Sequence, residues 1–457
     1  MLSNGNRYKS LILVFGDLIM FQVALIFALI IRNNTFDITT WGINLLPFSI
    51  VISFWIVSFY IAGFYNLILF RNQIKLFRTF LESMMANLAT AFAFFYLIPF
   101  FGLTPRTILF LFFSISLFLV YAWRLLAARL MQAYFPNGRI LYVGPAEEMR
   151  KVDNLIRESA LGTNIVAAIA TSGEMYRHND IPWHDLNRFT DILKREQITA
   201  IVLGVRPESE PKLANYLYQS LFNSTQIMDR AEIEEATTGR IPLSYVTEAW
   251  FLQHLNEGGK TWYESVKRVW DIILVIPFGL LTIFVLPLIA CVIKCSSKGP
   301  IFYQQTRVGK HGKTFKIIKF RTMNLDAEKD GARFTADAKT DPRLFAFGRF
   351  MRQTRIDELP QIWNVLKGDL SLIGPRPERP EFVTPLIERM PYYNLRHLTK
   401  PGLTGWAQVM FLTPTASLED NLRKLQYDLY YIKHRSLFLD LLILLRTVGI
   451  VLRRQGT

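Results

Sequence analysis

Cysteine is almost absent from this chain of 457 residues. Its only two cysteines, Cys291 and Cys295, lie four residues apart within an apolar run. Two thiols cannot form the set of disulfides that stabilises small secreted domains, and no zinc-binding set of cysteine and histidine surrounds them. The sequence therefore excludes a disulfide-stabilised fold, and the two thiols are consistent with a reducing compartment.

Charged residues are also few, and they are unevenly distributed. They make up 19% of the chain, whereas 51% is hydrophobic, which excludes a disordered protein. The net charge is +6 over residues 1–133, −5 over residues 134–259 and +14 over residues 260–457. We predict three domains with these boundaries. The basic third domain requires an anionic partner, such as a phosphorylated substrate, anionic lipid or nucleic acid.

Four long apolar runs fill the first domain, at residues 11–31, 43–64, 80–101 and 108–123. About 20 helical residues cross a bilayer, so the runs predict a four-helix transmembrane bundle. Asp17 and Glu82 are expected to make hydrogen bonds between these helices. Basic residues lie mainly at one end of the helices: Arg7, Lys9, Arg71, Lys75, Arg78, Arg124, Arg129 and Arg139, against Arg32 and Arg106 at the other end. The positive-inside rule therefore places the N-terminus and the chain after residue 130 in the cytoplasm.

The second domain lacks the glycine-rich turn of dinucleotide-binding proteins. Strand patterns at residues 139–143, 165–170 and 198–205 alternate with helix patterns at 147–158 and 186–196, which predicts a Rossmann-like α/β sheet. The first strand-to-helix turn has one glycine, Gly144, followed by Pro145, Glu147 and Glu148. Two carboxylates would repel a pyrophosphate, which such a turn binds in dinucleotide enzymes. We expect a scaffold or interaction domain that binds no NAD(P).

A fifth apolar run, residues 272–293, contains no charge. Crossing the membrane would export most of the positive charge of the third domain, and both flanks of the run are basic. We predict a re-entrant segment at about residues 268–294, either a hairpin or a strongly kinked helix in the inner leaflet, since Pro277 and Pro287 can bend it. An ordinary fifth span is the alternative. Residues 436–452 are interpreted as an interfacial amphipathic helix.

Residues suited to phosphate chemistry cluster in the third domain. Asp357 and Glu358 are adjacent, and Arg352 and Arg355 precede them by about one helical turn. Guanidinium groups bind phosphate through two parallel hydrogen bonds. A carboxylate beside them could attack phosphorus, and a second could bind Mg²⁺ or act as a base. A salt-bridge network on a helix surface is the alternative explanation of the acidic pair.

The motifs of this domain occur in a familiar order: K-R-x-x-D from residue 267, S-K-G-P from 297, K-F-R-T-M from 319, D-E-L-P-Q from 357, N-V-L-K-G-D from 364, G-P-R-P-E from 374 and P-G-L-T-G-W-A-Q from 401. From residue 267 onward the chain resembles the bacterial polyprenyl-phosphate hexose-1-phosphate transferases. The resemblance implies an α+β catalytic domain with a re-entrant membrane helix. It also implies transfer of a sugar 1-phosphate from a UDP-sugar to undecaprenyl phosphate, with release of UMP, which initiates exopolysaccharide, capsule or O-antigen synthesis.

The resemblance also implies roles for individual residues. Asp357 would be the nucleophile that forms a covalent phosphosugar intermediate, and Glu358 would bind the Mg²⁺ cofactor. The family's phosphate contacts fall on Lys319, Arg321, Arg352 and Arg376. The family bends its re-entrant helix at a Ser-Pro pair, but here Ile283-Phe284 occupies that place. We therefore expect the hinge at the nearest proline, Pro287.

The expected protein is a multi-pass enzyme of the bacterial inner membrane. Its catalytic domain would lie on the cytoplasmic face, in contact with membrane lipids, and the chain would form a homodimer. Two other functions stay open: a glycosyltransferase that releases UDP, and an inactive membrane scaffold. Nucleic-acid binding is not expected, because the basic residues follow a membrane segment and no recognition motif accompanies them. Glucose, galactose and N-acetylated sugars are all candidate substrates.

Overall fold

The computed structural model describes residues 2–35, 37–65, 73–97, 105–134, 138–158, 163–171, 181–205, 211–220, 225–244, 246–255, 260–324, 326–327, 341–413, 415 and 417–452. These residues form two compact units, Met1–Thr238 and Gly239–Thr457. The first unit contains the apolar helices and a parallel sheet, and the second contains the basic domain.

The first unit begins with four helices, α1 (Leu2–Asn33), α2 (Ile38–Ile61), α3 (Gln73–Leu97) and α4 (Arg106–Tyr134). Three of them are long and apolar enough to cross a membrane, over Ser10–Asn33, Ile38–Ile61 and Arg106–Ala127. Helix α3 is not among these candidates, and its predicted apolar run extends into residues 98–101, outside the described residues. Aromatic packing joins the helices, because the ring of Trp55 lies 5.4 Å from that of Phe21 and 5.1 Å from that of Phe112.

Asp17 makes the interhelical hydrogen bond that the sequence predicts. Its carboxylate accepts from the Tyr65 hydroxyl at 2.9 Å and pairs with Arg124, and both charged side chains are fully buried. Arg124 is therefore a partner inside the bundle and not a loop charge, because α4 continues past it to Tyr134. Glu82 differs from the expectation, since it is exposed and pairs with Arg78 one turn away on the same helix.

The parallel sheet has five strands in the order β3-β2-β1-β4-β5. Alternate residues of β1 face two separate buried clusters, one containing Ile140 and Tyr142 and the other Leu141 and Val143. Helices therefore cover both faces of the sheet. The strands are β1 (Gly138–Val143), β2 (Thr163–Ile169), β3 (Trp183–His184), β4 (Ala200–Leu203) and β5 (Gln226–Asp229), and the helices are α5 (Ala146–Glu158), α6 (Phe189–Arg195), α7 (Pro211–Ser220) and α8 (Arg230–Thr238).

The second unit combines short strands with many helices. Strands β6 and β7 form an antiparallel hairpin, and β8 pairs with β9 in parallel. The elements are α9 (Glu248–His254), α10 (Thr261–Ser296), β6 (Phe302–Val308), β7 (Thr314–Phe320), α11 (Ala346–Thr354), α12 (Ile362–Lys367), β8 (Ser371–Ile373), α13 (Pro380–Arg389), β9 (Gly402–Thr404), α14 (Trp406–Met410), α15 (Leu418–His434) and α16 (Leu437–Leu452).

Residues 239–254 belong with this second unit, although the sequence assigned them to the middle domain. Ile241, Val246 and Phe251 are buried in its largest core cluster. The Trp406 indole N–H also donates to the carbonyl of Gly239 at 2.7 Å. We call residues 239–254 the strap.

The fifth apolar run forms one 36-residue helix, α10, and not two helices joined by a loop. The hairpin form of the prediction is therefore wrong, whereas the kinked form, the hinge at Pro287 and the membrane placement stay predictions. The buried residues of the helix are spaced four to eight positions apart, at Tyr263, Asp271, Val275, Thr282, Ile289 and Ile293. Large apolar side chains elsewhere on the helix are exposed to solvent, including Ile273, Phe278, Leu281, Phe284 and Leu288.

Candidate active site

Asp357 lies in a tight turn directly after α11. The helix ends at Thr354, and Arg355 adopts a left-handed conformation with φ of 56°. A 3₁₀ turn, Ile356–Gln361, then carries both carboxylates. A left-handed conformation is unfavourable for a residue with a side chain, so the surrounding packing must hold this turn in place. The turn packs against β7, and both acidic side chains are largely buried.

Glu358 is the centre of a cluster of positive charges. Its Oε1 accepts from Arg376 Nη2 at 2.8 Å and from Lys319 Nζ at 3.2 Å, and Arg355 Nη1 lies 4.0 Å away. Lys319 comes from β7, whereas Arg376 comes from the turn after β8. The structure thus brings together two basic residues that are 57 positions apart in the chain, and their phosphate-binding role stays a prediction.

The two carboxylates have opposite electrostatic environments. Burial raises the pKa of Asp357 to about 6; the charge of Glu358 adds to this effect, and Lys319 and Arg352 oppose it. Burial alone would also raise the pKa of Glu358, but Arg376, Lys319 and Arg355 outweigh it and hold that pKa well below its usual range. Glu358 is therefore a permanent anion, whereas the charge of Asp357 depends on pH near neutrality.

Arg352 lies on α11, beside a buried acidic residue. Its Nη1 is 3.8 Å from Asp341 Oδ2, and its Nε donates to the Thr322 hydroxyl at 3.3 Å. Asp341 also accepts two hydrogen bonds at 2.9 Å from the guanidinium of Arg343. Arg352 keeps part of its side chain exposed, and its charge lowers the pKa of Asp357. The phosphate-binding role of Arg352 remains a prediction.

Arg321 does not join this cluster, although the sequence places it with Lys319. It follows the end of β7, and its guanidinium donates to the carbonyls of Pro300 and Ser297 at 2.7 and 2.8 Å and to the Ser297 hydroxyl at 2.9 Å. These contacts connect the strand to the residues just after α10. Its phosphate-binding role remains a prediction without a supporting contact among the described residues.

Several motif residues that the sequence singles out have structural contacts. Arg268 donates to the carbonyls of Val365 and Leu366 at the end of α12, at 2.5 and 2.7 Å. Asp271 accepts from the backbone N–H of Leu372 at 3.2 Å. The K-R-x-x-D motif therefore fixes α10 to the domain that carries the acidic pair.

Comparison with known proteins identifies the family of this chain. A family model described as bacterial sugar transferase matches residues 262–454. A UDP-glucose:undecaprenyl-phosphate glucose-1-phosphate transferase of Caulobacter vibrioides is 42% identical over 186 residues, which are 40% of this chain and 68% of that protein. The chain belongs to the bacterial sugar transferase family. The match to the family model begins in α10 and ends just after α16, so it includes every residue of the site described above.

Two longer members of the bacterial sugar transferase family are also similar to this chain. A UDP-N-acetylgalactosamine-undecaprenyl-phosphate N-acetylgalactosaminephosphotransferase of Aeromonas hydrophila is 41% identical over 230 residues, which are 49% of this chain and 52% of that protein. A UDP-glucose:undecaprenyl-phosphate glucose-1-phosphate transferase of Escherichia coli K12 is 41% identical over 184 residues, 40% of this chain and 39% of that protein. The chain therefore matches about half or less of the length of these two relatives.

Proposed function

We propose that this protein transfers a sugar 1-phosphate from a UDP-sugar to undecaprenyl phosphate and releases UMP. The observation that carries the proposal is the pairing of a pH-sensitive carboxylate, Asp357, with a permanently charged neighbour, Glu358, that holds Lys319 and Arg376 in place. Such a site offers a nucleophile beside preorganised positive charge, which phosphoryl transfer requires.

In the first step, a carboxylate oxygen of Asp357 would attack the phosphorus that carries the sugar. An oxygen–phosphorus bond to Asp357 forms, and the bond between that phosphorus and the oxygen bridging it to UMP breaks. UMP leaves with the electron pair of that bond. Lys319, Arg352 and Arg376 would neutralise the charge that builds up on the phosphate oxygens.

In the second step, a phosphate oxygen of undecaprenyl phosphate would attack the same phosphorus. The bond to Asp357 breaks, which restores the free carboxylate and yields undecaprenyl diphosphate sugar. The covalent intermediate allows the soluble and the lipid substrate to use one site in turn, so two polyanions need not be neutralised together.

The site fits a Mg²⁺ ion that is bound by few protein side chains and takes most of its ligands from the substrate. Glu358 follows the proposed nucleophile directly in the chain, and no group of three acidic, histidine or cysteine side chains suited to a metal occurs among the described residues. Glu358 would hold the ion, and a bound Mg²⁺ would reduce the negative charge of the diphosphate and of departing UMP. We expect Glu358→Gln to require more Mg²⁺ for half-maximal activity, which a titration of activity against Mg²⁺ measures.

Helix α10 would hold this site at the membrane surface without crossing. Its start contacts α12 and β8 through Arg268 and Asp271, and near its end Ile293 packs with Phe320 of β7. A helix that crosses a bilayer must separate its ends by about 30 Å of hydrocarbon, which leaves its far half out of reach of a cytoplasmic domain. The exposed apolar face of α10 would then lie in the inner leaflet, where the carrier lipid is located.

Membrane topology tests this placement. Reporter fusions after Trp123, at Lys260 and after Thr457 should all report the cytoplasm of a bacterial cell, where the enzyme would occupy the inner membrane. A periplasmic signal at the C-terminus alone would mean that α10 is a fifth span.

We also propose that the sheet of the first unit is a Rossmann-like scaffold that supports self-association and binds no NAD(P). The strand order is that of dinucleotide-binding folds. However, the Tyr142 hydroxyl fills the space beside Gly144 and Gly204 at the switch point, and Glu148 forms an ion pair with Arg230. Calorimetric titration with NADH and NADPH should give no heat of binding, and saturable binding of either would contradict this assignment.

The relatives carry names for different sugars, N-acetylgalactosamine and glucose. A panel of UDP-sugars therefore tests the activity most directly. Purified protein with undecaprenyl phosphate and Mg²⁺ should release UMP from at least one of them. Release of UDP would identify a glycosyltransferase, and no release from any of the sugars would favour an inactive scaffold.

A further inference from the structure

The turn that presents Arg376 has few hydrogen-bond donors of its own. Pro375 and Pro377 flank the arginine and have no backbone N–H to donate. Instead, the carbonyls of all four residues 375–378 accept hydrogen bonds from outside the turn. The two outer bonds come from the main chain: Gly402 N–H donates to Pro375 at 2.9 Å, and Val308 N–H donates to Glu378 at 3.0 Å.

The two inner bonds come from side chains. Arg396 Nη2 donates to the carbonyl of Arg376 itself at 2.9 Å, and Arg307 Nη1 donates to the carbonyl of Pro377 at 3.0 Å. Both guanidinium groups are largely buried. Among the residues that the structure describes, no main-chain donor takes either role, so the middle of the turn depends on these two arginines for its position.

Arg396 is itself fixed by a buried counter-charge. Its Nη2 lies 2.9 Å from Asp428 Oδ2, and its Nη1 donates to the Tyr393 hydroxyl at 2.6 Å. Asp428 is buried on α15. Burying a guanidinium without a partner is costly, so this pair allows a positive charge to lie close behind the active-site turn. The result is a continuous chain of contacts from Asp428 through Arg396 and Arg376 to Glu358.

We propose that Arg396 and Arg307 are positioning residues for Arg376. They hold its main chain so that its guanidinium reaches Glu358 and the transferring phosphate. Neither needs to touch substrate. The inference rests on the proposed function, because it assigns these two arginines a part in that reaction through Arg376.

A double-mutant cycle on the full-length protein in detergent tests this proposal, with UMP release as the readout. Arg396→Lys retains the positive charge. However, lysine lacks the planar guanidinium group that contacts both Asp428 and the carbonyl of Arg376. We expect it to lower kcat/KM about tenfold or more in the wild-type background, because a small displacement of a positioned group slows transfer strongly. In an Arg376→Ala background the same change should cost less than about twofold, because no side chain is left to position.

Arg268→Lys is the matched control. Its guanidinium is also bound to two main-chain carbonyls, but at the end of α12 and not at the turn. Arg268→Lys should lower kcat/KM by the same factor in the wild-type and the Arg376→Ala backgrounds. If Arg376→Ala turns over too slowly to measure, Arg376→Lys takes its place in the cycle.

Two results would overturn the proposal: an unchanged kcat/KM for Arg396→Lys, or the same loss with and without the Arg376 side chain. Thermal unfolding of each variant shows whether it is folded. If Arg396→Lys does not fold, Arg307→Lys is measured in the same double-mutant cycle. An equal loss of kcat/KM for Arg307→Lys with and without the Arg376 side chain would then overturn the proposal. A wild-type protein that releases no UMP from any UDP-sugar would instead contradict the proposed function.

Discussion

Asp357 and Glu358 are neighbours of similar chemistry, but the fold shifts their pKa values in opposite directions. Three basic side chains surround Glu358, while burial and the adjacent anion keep Asp357 close to its titration point. A nucleophile must be ionised to attack phosphorus. The ionisation of Asp357 should therefore be visible in the pH dependence of the reaction.

We expect the rate of the first step to fall as the pH drops through about 6. The pKa of Asp357 is raised to about 6, so this carboxylate loses its charge in a range where an ordinary aspartate would keep it. Single-turnover release of UMP between pH 5 and pH 8 measures this effect. A rate that stays constant down to pH 5 would show that Asp357 ionises normally or is not the nucleophile.

Glu358→Gln provides the companion test. The charge of Glu358 raises the pKa of Asp357, and this substitution removes that charge. The residual activity should therefore begin to fall at a lower pH than the activity of the wild-type protein. We also expect the turnover number to drop by about two orders of magnitude, as for the loss of preorganised electrostatic groups in other active sites. An unshifted limb would indicate that the two carboxylates do not interact.

For single residues, type and spacing predicted the acidic pair with Arg352 and Arg355 close to it, whereas Lys319 and Arg376 were implied by the family resemblance. The sequence could not separate Arg321 from the basic residues around Glu358. The Arg321 guanidinium instead donates hydrogen bonds to carbonyls just after α10. Asp428 was missed, although a signal exists: it lies at helical spacing from Leu425 and Ile432, which are both buried. A carboxylate on the apolar face of a helix indicates a buried partner.

Among the elements, α11 depends on a close approach to the chain after β7. A methyl group on Gly348 would lie 2.1 Å from the carbonyl oxygen of Thr322, which is part of the main chain and cannot move away easily. The same stretch provides the hydroxyl that binds Arg352. The glycine therefore sets the distance between α11 and the site.

We expect Gly348→Ala to destabilise the protein by about 1–3 kcal/mol, as overpacked sites do, and to lower UMP release because Arg352 shifts. Thermal unfolding in detergent measures the first effect. Gly279→Ala is the control, since its methyl group would meet only Ile362 at an ordinary 3.5 Å. That change should be neutral or stabilising by about 0.5–1 kcal/mol, because alanine favours a helix. Equal effects of the two changes would contradict this account of α11.

The elements that could be predicted are those with a local pattern. Hydrophobic residues that recur every two positions in strands and every 3.6 positions in helices located β1, β2, β4 and α5 to within about three residues. The form of α10 could not be predicted in this way. Its proline residues and charged flanks are compatible with a hairpin, and only the contacts of its buried face with α12, β7 and β8 distinguish a single helix packed on the domain.

At the scale of the whole molecule, the strap shifts the boundary between the two units. Ile241, Val246 and Phe251 fill part of the core that also contains Trp406. Composition placed the boundary at residue 259, because the net charge changes there. Packing places it at residue 239, because charge describes the surface whereas domain membership depends on buried contacts.

We therefore expect a chain that begins at Gly239 to be more stable than one that begins at Lys260. Removing the strap exposes the cavity left by three apolar side chains, each worth roughly 1.5–3 kcal/mol when fully buried. Thermal unfolding and UMP release of the two truncated chains in the same detergent measure the difference. Equal stability would show that the strap contributes nothing to the core.

If the first unit supports self-association, both truncated chains should be monomeric where the full chain is a dimer.

In the proposed mechanism, Asp357 carries the phosphosugar between the two steps of the reaction. Incubation of the full-length protein with a UDP-sugar labelled at the phosphate next to the sugar, without undecaprenyl phosphate, tests it most directly. We predict that wild-type protein becomes labelled and releases an equal amount of UMP, that added undecaprenyl phosphate removes the label, and that Asp357→Asn binds the UDP-sugar but stays unlabelled. Labelling of Asp357→Asn, or initial rates that require both substrates to be bound together, would contradict the claim.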